Sequence, residues 1–215
     1  MPEPSPTDTS LLAAWREGDE TAGRTLVRRH TPSLHRFFAI KAPDHVTDLV
    51  QSVFEAALRG PAFRGEAGFR TYLLAIARKL LLKHFRKQLR GERALKLAQM
   101  TASDVGGSPS IVAAHRQELR LLALALRRLP IDHQIALELF YWEELPVGEI
   151  AVVLDIAPGT VKSRLSRARE QLRDRIAQTE ADPHVRARTS DNPERWAKEL
   201  RAIEFGTDSA ERELS

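Results

Sequence analysis

Apolar residues recur every three or four positions from Ser10 to about Arg90 and again from residue 111 to 176, and no run alternates with a period of two. That spacing lines up one face of a helix and offers no template for a half-buried strand, so the chain is confined to the all-α class. Leu11, Leu12 and Trp15 open the pattern, and Gly18-Asp19 breaks it, with Asp19 suited to cap the helix that follows. Leu26, Val27, Leu34, Phe37 and Phe38 continue the apolar face, and Pro32 predicts a kink or a boundary. After a turn at Pro43-Asp44, the series Val46, Leu49, Val50, Val53, Phe54, Ala57 and Leu58 predicts another helix. Gly60-Pro61 and Gly65 bracket a loop. A helix from about Gly68 turns Phe69, Leu73, Ile76, Ala77 and Leu80 inward.

The pattern weakens over residues 91–110, where Gly106-Gly107-Ser108-Pro109 is the clearest linker signal. Residues 111–129 are helical again up to Pro130, and Asp132 is expected to cap a helix carrying Ile135, Leu139 and Phe140. Residues 1–9, rich in Pro, Ser and Thr, are expected to be a disordered lead. With 215 residues, 42% of them hydrophobic, the chain can bury two modest cores. The reading is two small helical domains, 10–92 and 116–177, joined by a flexible linker, 93–115, and followed by a C-terminal extension, 178–215.

Several chemistries are excluded by what the chain lacks. It has no cysteine, which removes disulfides, thiolate nucleophiles and Cys-based zinc sites. Its seven histidines are scattered, with no i,i+4 pair, so no metal is expected. There is no Gly-rich phosphate loop, and no cofactor is expected. Glu143, Glu144 and Glu149 have no partner at catalytic or metal-binding spacing, so the chain is not read as an enzyme. Met1-Pro2-Glu3-Pro4 opens a polar stretch without a signal-peptide core, and no apolar run approaches the roughly 20 residues of a membrane span. A cytoplasmic protein with no membrane insertion is expected.

Charge is segregated along the chain. Residues 69–90 hold seven Lys/Arg and no acid, residues 131–157 hold six acids and no Lys/Arg, and residues 158–176 hold six bases and two acids. Two basic blocks far apart in sequence point to two contacts with a polyanion.

The sharpest local signal is residues 147–176. A short helix, Val147–Leu154, buries Ile150 and Ala151, and Asp155-Ile156-Ala157 make a tight turn. Pro158 stands where a second helix begins, a position at which its missing N–H costs nothing. Val161, Leu165, Ala168 and Leu172 then form one apolar stripe, opposite Thr160, Lys162, Ser163, Arg164, Ser166, Arg167 and Arg169. A helix that is apolar on one side and basic on the other, behind a short helix and a tight turn, is a helix-turn-helix suited to the major groove.

The residues Leu126-Arg127-Arg128-Leu129-Pro130, Glu143–Ala151 and Gly159–Arg169 resemble region 4 of the ECF (extracytoplasmic-function) sigma factors of the sigma-70 family. The resemblance implies recognition of a minus-35 promoter element by Thr160, Lys162, Ser163, Arg164 and Arg167. Asp155 stands where the family usually has Gly in the turn, and Asp tolerates a left-handed backbone better than most residues. Asp48–Leu58 resembles the region 2.2 helix of the same family. This implies docking of Asp48, Gln51, Ser52 and Glu55 on the beta-prime clamp helices of RNA polymerase core, with the second domain meeting the beta flap. Phe63–Arg90 resembles regions 2.3 and 2.4, which open the minus-10 element, and the implied contacts are Phe63, Arg64, Arg70, Arg78, Lys79, Lys83, Arg86 and Lys87. The chemistry suits strand opening: the loop 63–68 can form a pocket for an extruded base, and the basic helix a track for the backbone. Phe69 and Tyr72 fit a core as well as a stacking surface. Lys79 and Lys83 replace Asn and Asp of many members, which predicts stronger backbone attraction and a changed base preference.

The function implied is that of a promoter-specificity subunit, with RNA polymerase core, promoter DNA and an anti-sigma factor as partners. The alternative is a helix-turn-helix repressor or activator that binds a palindrome as a dimer, which leaves the region-2-like block unexplained. The extension carries Trp196, Leu200, Ile203 and Phe205 on a candidate helix 194–205, and is either a weakly ordered tail or an acidic regulatory segment.

Overall fold

Side-chain oxygens set the first two helices in a computed structural model of the chain, which describes residues 6–60, 63, 67–88, 101–105 and 117–179. Helix α1, Asp8–Arg16, is capped by Thr7, whose hydroxyl accepts from the Ser10 N–H at 3.2 Å. It therefore begins inside the stretch expected to be a disordered lead. Asp8 explains this, because its carboxylate is anchored by Arg29 and by His30 Nε2 at 3.0 Å. Helix α2, Glu20–Ala39, is capped as expected by Asp19, which accepts from the N–H groups of Thr21 and Ala22 at 2.8 and 3.1 Å. Trp15 lies across α2 at Gly23, where a Cβ would come within 2.4 Å of the indole nitrogen, so only glycine admits this crossing.

Of the two outcomes expected at Pro32, a kink or a boundary, the boundary does not occur, and the proline lies inside α2. Interior proline costs about 3 kcal/mol in lost hydrogen bonding and steric clash. Leu26, Leu34, Phe37 and Phe38 are buried on either side of it, and their packing outweighs that cost.

A single 3-10 turn, Pro43–His45, leads into helix α3, Val46–Arg59. Val46, Leu49, Val50, Val53, Phe54 and Ala57 of α3 are buried, all members of the expected apolar series. Helix α4, Phe69–Gln88, buries Leu73, Leu74, Ala77, Leu81 and Phe85. Phe63, Phe69 and Tyr72 form a ring cluster, with centroids 5.3 to 5.9 Å apart, and Phe69 is buried in it.

The second unit comprises α5, Gln117–Arg127, α6, Ile131–Tyr141, α7, Val147–Leu154, and α8, Pro158–Ala177. Asp132 is not the cap of α6. The helix begins at Ile131 with Pro130 in the cap position, and the Asp132 carboxylate points to partners on α4 and α8. The helix-turn-helix forms with the expected limits. Asp155 ends α7 in the left-handed region, at φ 55° and ψ 51°, and Pro158 opens α8.

Among the described residues the only β-type pairing is one bridge between Thr101 and Pro130. The segment 101–105 is clasped by Arg127, which donates to the Ala102 and Ile40 carbonyls at 2.9 and 2.5 Å, while Ser103 donates to the Arg127 carbonyl at 3.1 Å. Helix α4 packs on α2 and α3 and also on α7, so the apolar clusters of the two units are continuous.

Candidate nucleic-acid and polymerase interfaces

On α8, Val161, Leu165, Ala168, Leu172 and Ile176 are buried, and the stripe expected of the second helix faces the core. Thr160, Lys162, Ser163 and Arg167 are exposed on the opposite side. Arg164 is not free, because its Nη1 lies 3.2 Å from Asp132 Oδ2. Arg169 also departs from the exposed face. Its Nε donates to the Tyr141 hydroxyl at 2.9 Å, and its guanidinium lies 5.3 and 5.6 Å from the Phe140 and Tyr141 ring centroids.

On α4, Lys79, Lys83, Arg86 and Lys87 are exposed and form a cationic track without an acid. Arg70 and Arg78, nearer the start of the helix, are engaged by the second unit. Arg78 donates through Nη2 and Nε to Asp132 Oδ1, at 2.9 and 3.2 Å. Arg70 donates to the Glu143 carbonyl at 2.6 Å and pairs with its carboxylate at 3.5 Å. Phe63 is partly buried in the ring cluster, and Arg64 lies outside the described residues.

The acids that had no partner in the sequence find theirs across this boundary. Buried Glu143 accepts from Ser33 Oγ at 2.6 Å and from Arg36 Nε at 3.1 Å. Glu149 accepts from Thr71. Glu138 pairs with Lys41, both wholly buried, and accepts from Gln134 Nε2 at 2.8 Å. Burial pushes the Lys41 ammonium below the ordinary lysine value and the Glu138 carboxyl above the ordinary carboxylate value, and their mutual attraction only partly offsets this. The Lys41 ammonium also lies 4.2 Å from the Phe37 ring centroid. Asp132, Glu143 and Glu149 of the block 131–157 thus meet the front half of α4, while Glu138 is buried against Lys41. The signal that locates this contact is the contrast in charge between residues 69–90 and 131–157.

The α3 face is polar and shallow. Asp48 and Gln51 are exposed, and Ser52 and Glu55 half-buried. Gln51 donates to Glu55 at 3.1 Å, and Ser52 donates to the Asp48 carbonyl at 2.7 Å. At the far end of α4 the fold brings together two histidines that are scattered in sequence. The His45 and His84 rings lie 4.6 Å apart, and the Gln88 amide nitrogen is 2.8 Å from His84 Nε2. His84 is held below the ordinary histidine value by burial and by the neighbouring His45 and Lys87. No group of three His, Asp or Glu side chains suited to a metal occurs among the described residues. No described helix is long and apolar enough to cross a membrane.

Comparison with known proteins places both basic helices within one family. The sigma-70 region 2 model matches residues 26–91, which hold α3 and α4, and the sigma-70 region 4 model matches residues 119–172, which hold the helix-turn-helix. The RNA polymerase sigma factor HrpL of Pseudomonas syringae pv. syringae is 36% identical over 141 residues, covering 64% of this chain and 76% of the relative. The ECF RNA polymerase sigma-E factor of Escherichia coli (strain K12) is 28% identical over 180 residues, covering 79% of this chain and 94% of that one. Among solved structures, the sigma factor RpoE in complex with the anti-sigma factor NepR, from Bartonella quintana, is similar with a TM-score of 0.54 and 27% identity, over 72% of this chain and 96% of that one. CnrH in complex with the cytosolic domain of CnrY shares the fold, with a TM-score of 0.55 and 23% identity, over 80% of this chain and 99% of that one. The region 2 match accounts for the block that a dimeric repressor leaves unexplained. With two regions of one family matched in order, and a relative more than a third identical, this chain belongs to the sigma-70 family of RNA polymerase sigma factors, in its ECF group.

Proposed function

We propose that this sigma factor guides bacterial RNA polymerase core to its promoters by reading two DNA elements with two helices on different domains. The observation that carries the reading is the pair of basic helix faces, on α4 and α8, each inside a separately matched sigma region. Thr160, Lys162, Ser163, Arg164 and Arg167 of α8 contact the minus-35 duplex, the bases meeting phosphates and Arg164 and Ser163 reaching base edges. Arg70, Arg78, Lys79, Lys83, Arg86 and Lys87 hold the minus-10 strand, and Phe63 and Arg64 border the pocket for its extruded base. Asp48, Gln51, Ser52 and Glu55 dock on the beta-prime clamp helices, and the second domain meets the beta flap. The chain has no catalytic role of its own, since the polymerase supplies the chemistry, and it works in the cytoplasm. One structural relative was solved in complex with the anti-sigma factor NepR, which supports a partner of that kind here.

Run-off transcription with bacterial core polymerase, on the promoter of the chain's own operon and on a randomised promoter library, tests the reading. A specific transcript that requires the protein is expected. Absence of any transcript and of co-migration with core, together with binding to a palindromic duplex, would overturn it. Lys79→Asn is expected to change the minus-10 sequences selected from the library.

A further inference from the structure

One carboxylate joins the two helices assigned to promoter recognition. Asp132 Oδ1 accepts from Arg78 of α4, and Oδ2 faces Arg164 Nη1 of α8 at 3.2 Å. The three side chains retain 15%, 20% and 20% exposure for Arg78, Asp132 and Arg164, so water and salt screen them less than a surface pair. Resting on the reading that α4 and α8 contact DNA, we propose that Asp132 acts as an internal stand-in for a DNA phosphate on both helices together, so that DNA taken by either helix frees the other and the two promoter elements bind with positive cooperativity.

Three features carry this. First, the arginines lie on different domains, 86 residues apart in sequence, and meet only because the domains are closed on each other. While Asp132 holds them, Arg78 has its Nε and Nη2 donors committed and Arg164 has Nη1 drawn to the carboxylate, so neither guanidinium can turn its full set of donors to a phosphate or a guanine edge. Second, the occupation extends along α4, since Glu143 takes Arg70 and Glu149 takes Thr71. The basic residues of α4 beyond Arg78, namely Lys79, Lys83, Arg86 and Lys87, stay exposed, so closure covers the front of the track and leaves the rear open. Third, the carboxylates that do this, Asp132, Glu143 and Glu149, come from a block without Lys/Arg and bring the negative charge that a nucleic-acid backbone would bring. Opening the domains is a cost shared by both DNA ligands. Whichever element binds first meets it, and the second binds a protein already open, which is the thermodynamic content of positive coupling.

The test uses the full chain and the two halves of a promoter from which it drives transcription. One half is a duplex with the upstream element, and the other a single strand with the non-template downstream element. Because the chain has no cysteine, Thr21→Cys and Asp174→Cys, both on exposed positions, carry a fluorescent pair that reports domain opening. In the otherwise unchanged protein, saturating duplex is expected to raise affinity for the single strand about 5- to 150-fold, and the reverse by the same factor. Asp132→Asn is expected to shift the labelled protein toward the open form, tighten binding of each half alone and reduce the cross-effect severalfold, the remainder being held by the Arg70–Glu143 and Thr71–Glu149 contacts and the apolar core between the units. Asp132→Glu, which keeps the charge, is expected to restore part of the coupling, and an unchanged melting curve excludes misfolding of Asp132→Asn. Equal binding by the unsubstituted chain and Asp132→Asn, with no cross-effect, while both support transcription, would overturn the inference and leave the sigma reading intact. Failure of the unsubstituted chain to bind either half or to drive transcription from any promoter would remove both.

Discussion

Lys41 and Glu138 form an ion pair wholly inside the protein, one just past the end of α2 and the other in the middle of α6. Burial is the leading influence on both. Lys41 lies below its ordinary value, so its charge opposes the closed fold at any pH below that of a free lysine. Glu138 lies above its ordinary value, so its charge opposes the closed fold at any pH above that of a free carboxylate. At neutral pH both effects act in the same direction. Glu138→Leu alone, or Lys41→Met alone, strands a buried charge and is expected to lower stability by about 3–5 kcal/mol. The double variant Lys41→Met/Glu138→Leu is expected to equal or exceed the original chain, by up to about 4 kcal/mol. Urea denaturation of the four proteins closes the cycle.

Acid is expected to destabilise the protein through three of its histidines. His30, His35 and His84 all lie below the ordinary histidine value, chiefly through burial; Asp8 opposes the effect at His30, and Arg36 adds to it at His35. A folded-state value below the unfolded one means that the unfolded chain binds more protons. Stability is therefore full above about pH 6.5 and falls as pH drops through the folded values. Calorimetric melting between pH 7.5 and 5 should show a steady fall in melting temperature, and His84→Gln should make it shallower. A flat profile would contradict the shared sign.

Asp155 takes a left-handed backbone where glycine has no steric penalty. Asp155→Gly is expected to raise stability by about 1 kcal/mol, and Asp155→Val to lower it by about 1–2 kcal/mol. Thermal melting measures both, and the Val variant should also weaken duplex binding by loosening the angle between α7 and α8.

The basic residues of α8 divide into two kinds that one experiment separates. Lys162→Ala and Arg167→Ala, on exposed positions, are each expected to reduce the salt slope of duplex binding by about 1 and to leave stability within about 0.5 kcal/mol. Arg169→Ala loses the Tyr141 hydrogen bond and the rings below it, and is expected to cost about 1–2 kcal/mol of stability while leaving the salt slope unchanged. Binding from 50 to 300 mM salt, paired with denaturation, distinguishes the two outcomes.

What could be read in the sequence was whatever depends on neighbours within one helix turn. The limits of α7 and α8, the left-handed turn at Asp155 and the buried stripe of α8 follow from spacings of three and four and from one proline. Asp19 was legible for the same reason, because a cap acts on N–H groups two and three residues away. At Pro32 the sequence leaves a kink and a boundary both open, because local propensity is one influence among several, and the buried residues around it carry the helix through. Asp132 resembled a cap because Asp favours helix starts, yet its partners lie 54 residues before it and 32 after it. Glu143 and Glu149 seemed isolated for the same reason. A carboxylate does not reveal along the chain which distant arginine or hydroxyl it will meet. Only the alternation of basic and acidic blocks carried a trace of the docking.

The clasp around Arg127 sets a length. While Ala102 and Ser103 are held against Arg127 and Thr101 is paired with Pro130, only the thirteen peptide links between Gln88 and Thr101 tether the end of α4 to the second domain. At about 3.5 Å per link, that tether reaches about 45 Å. Release of the clasp extends it to the twenty-nine links up to Gln117, a reach of about 100 Å. The length of chain free to run between the end of α4 and the second domain therefore depends on whether one arginine keeps its grip on the Ala102 carbonyl.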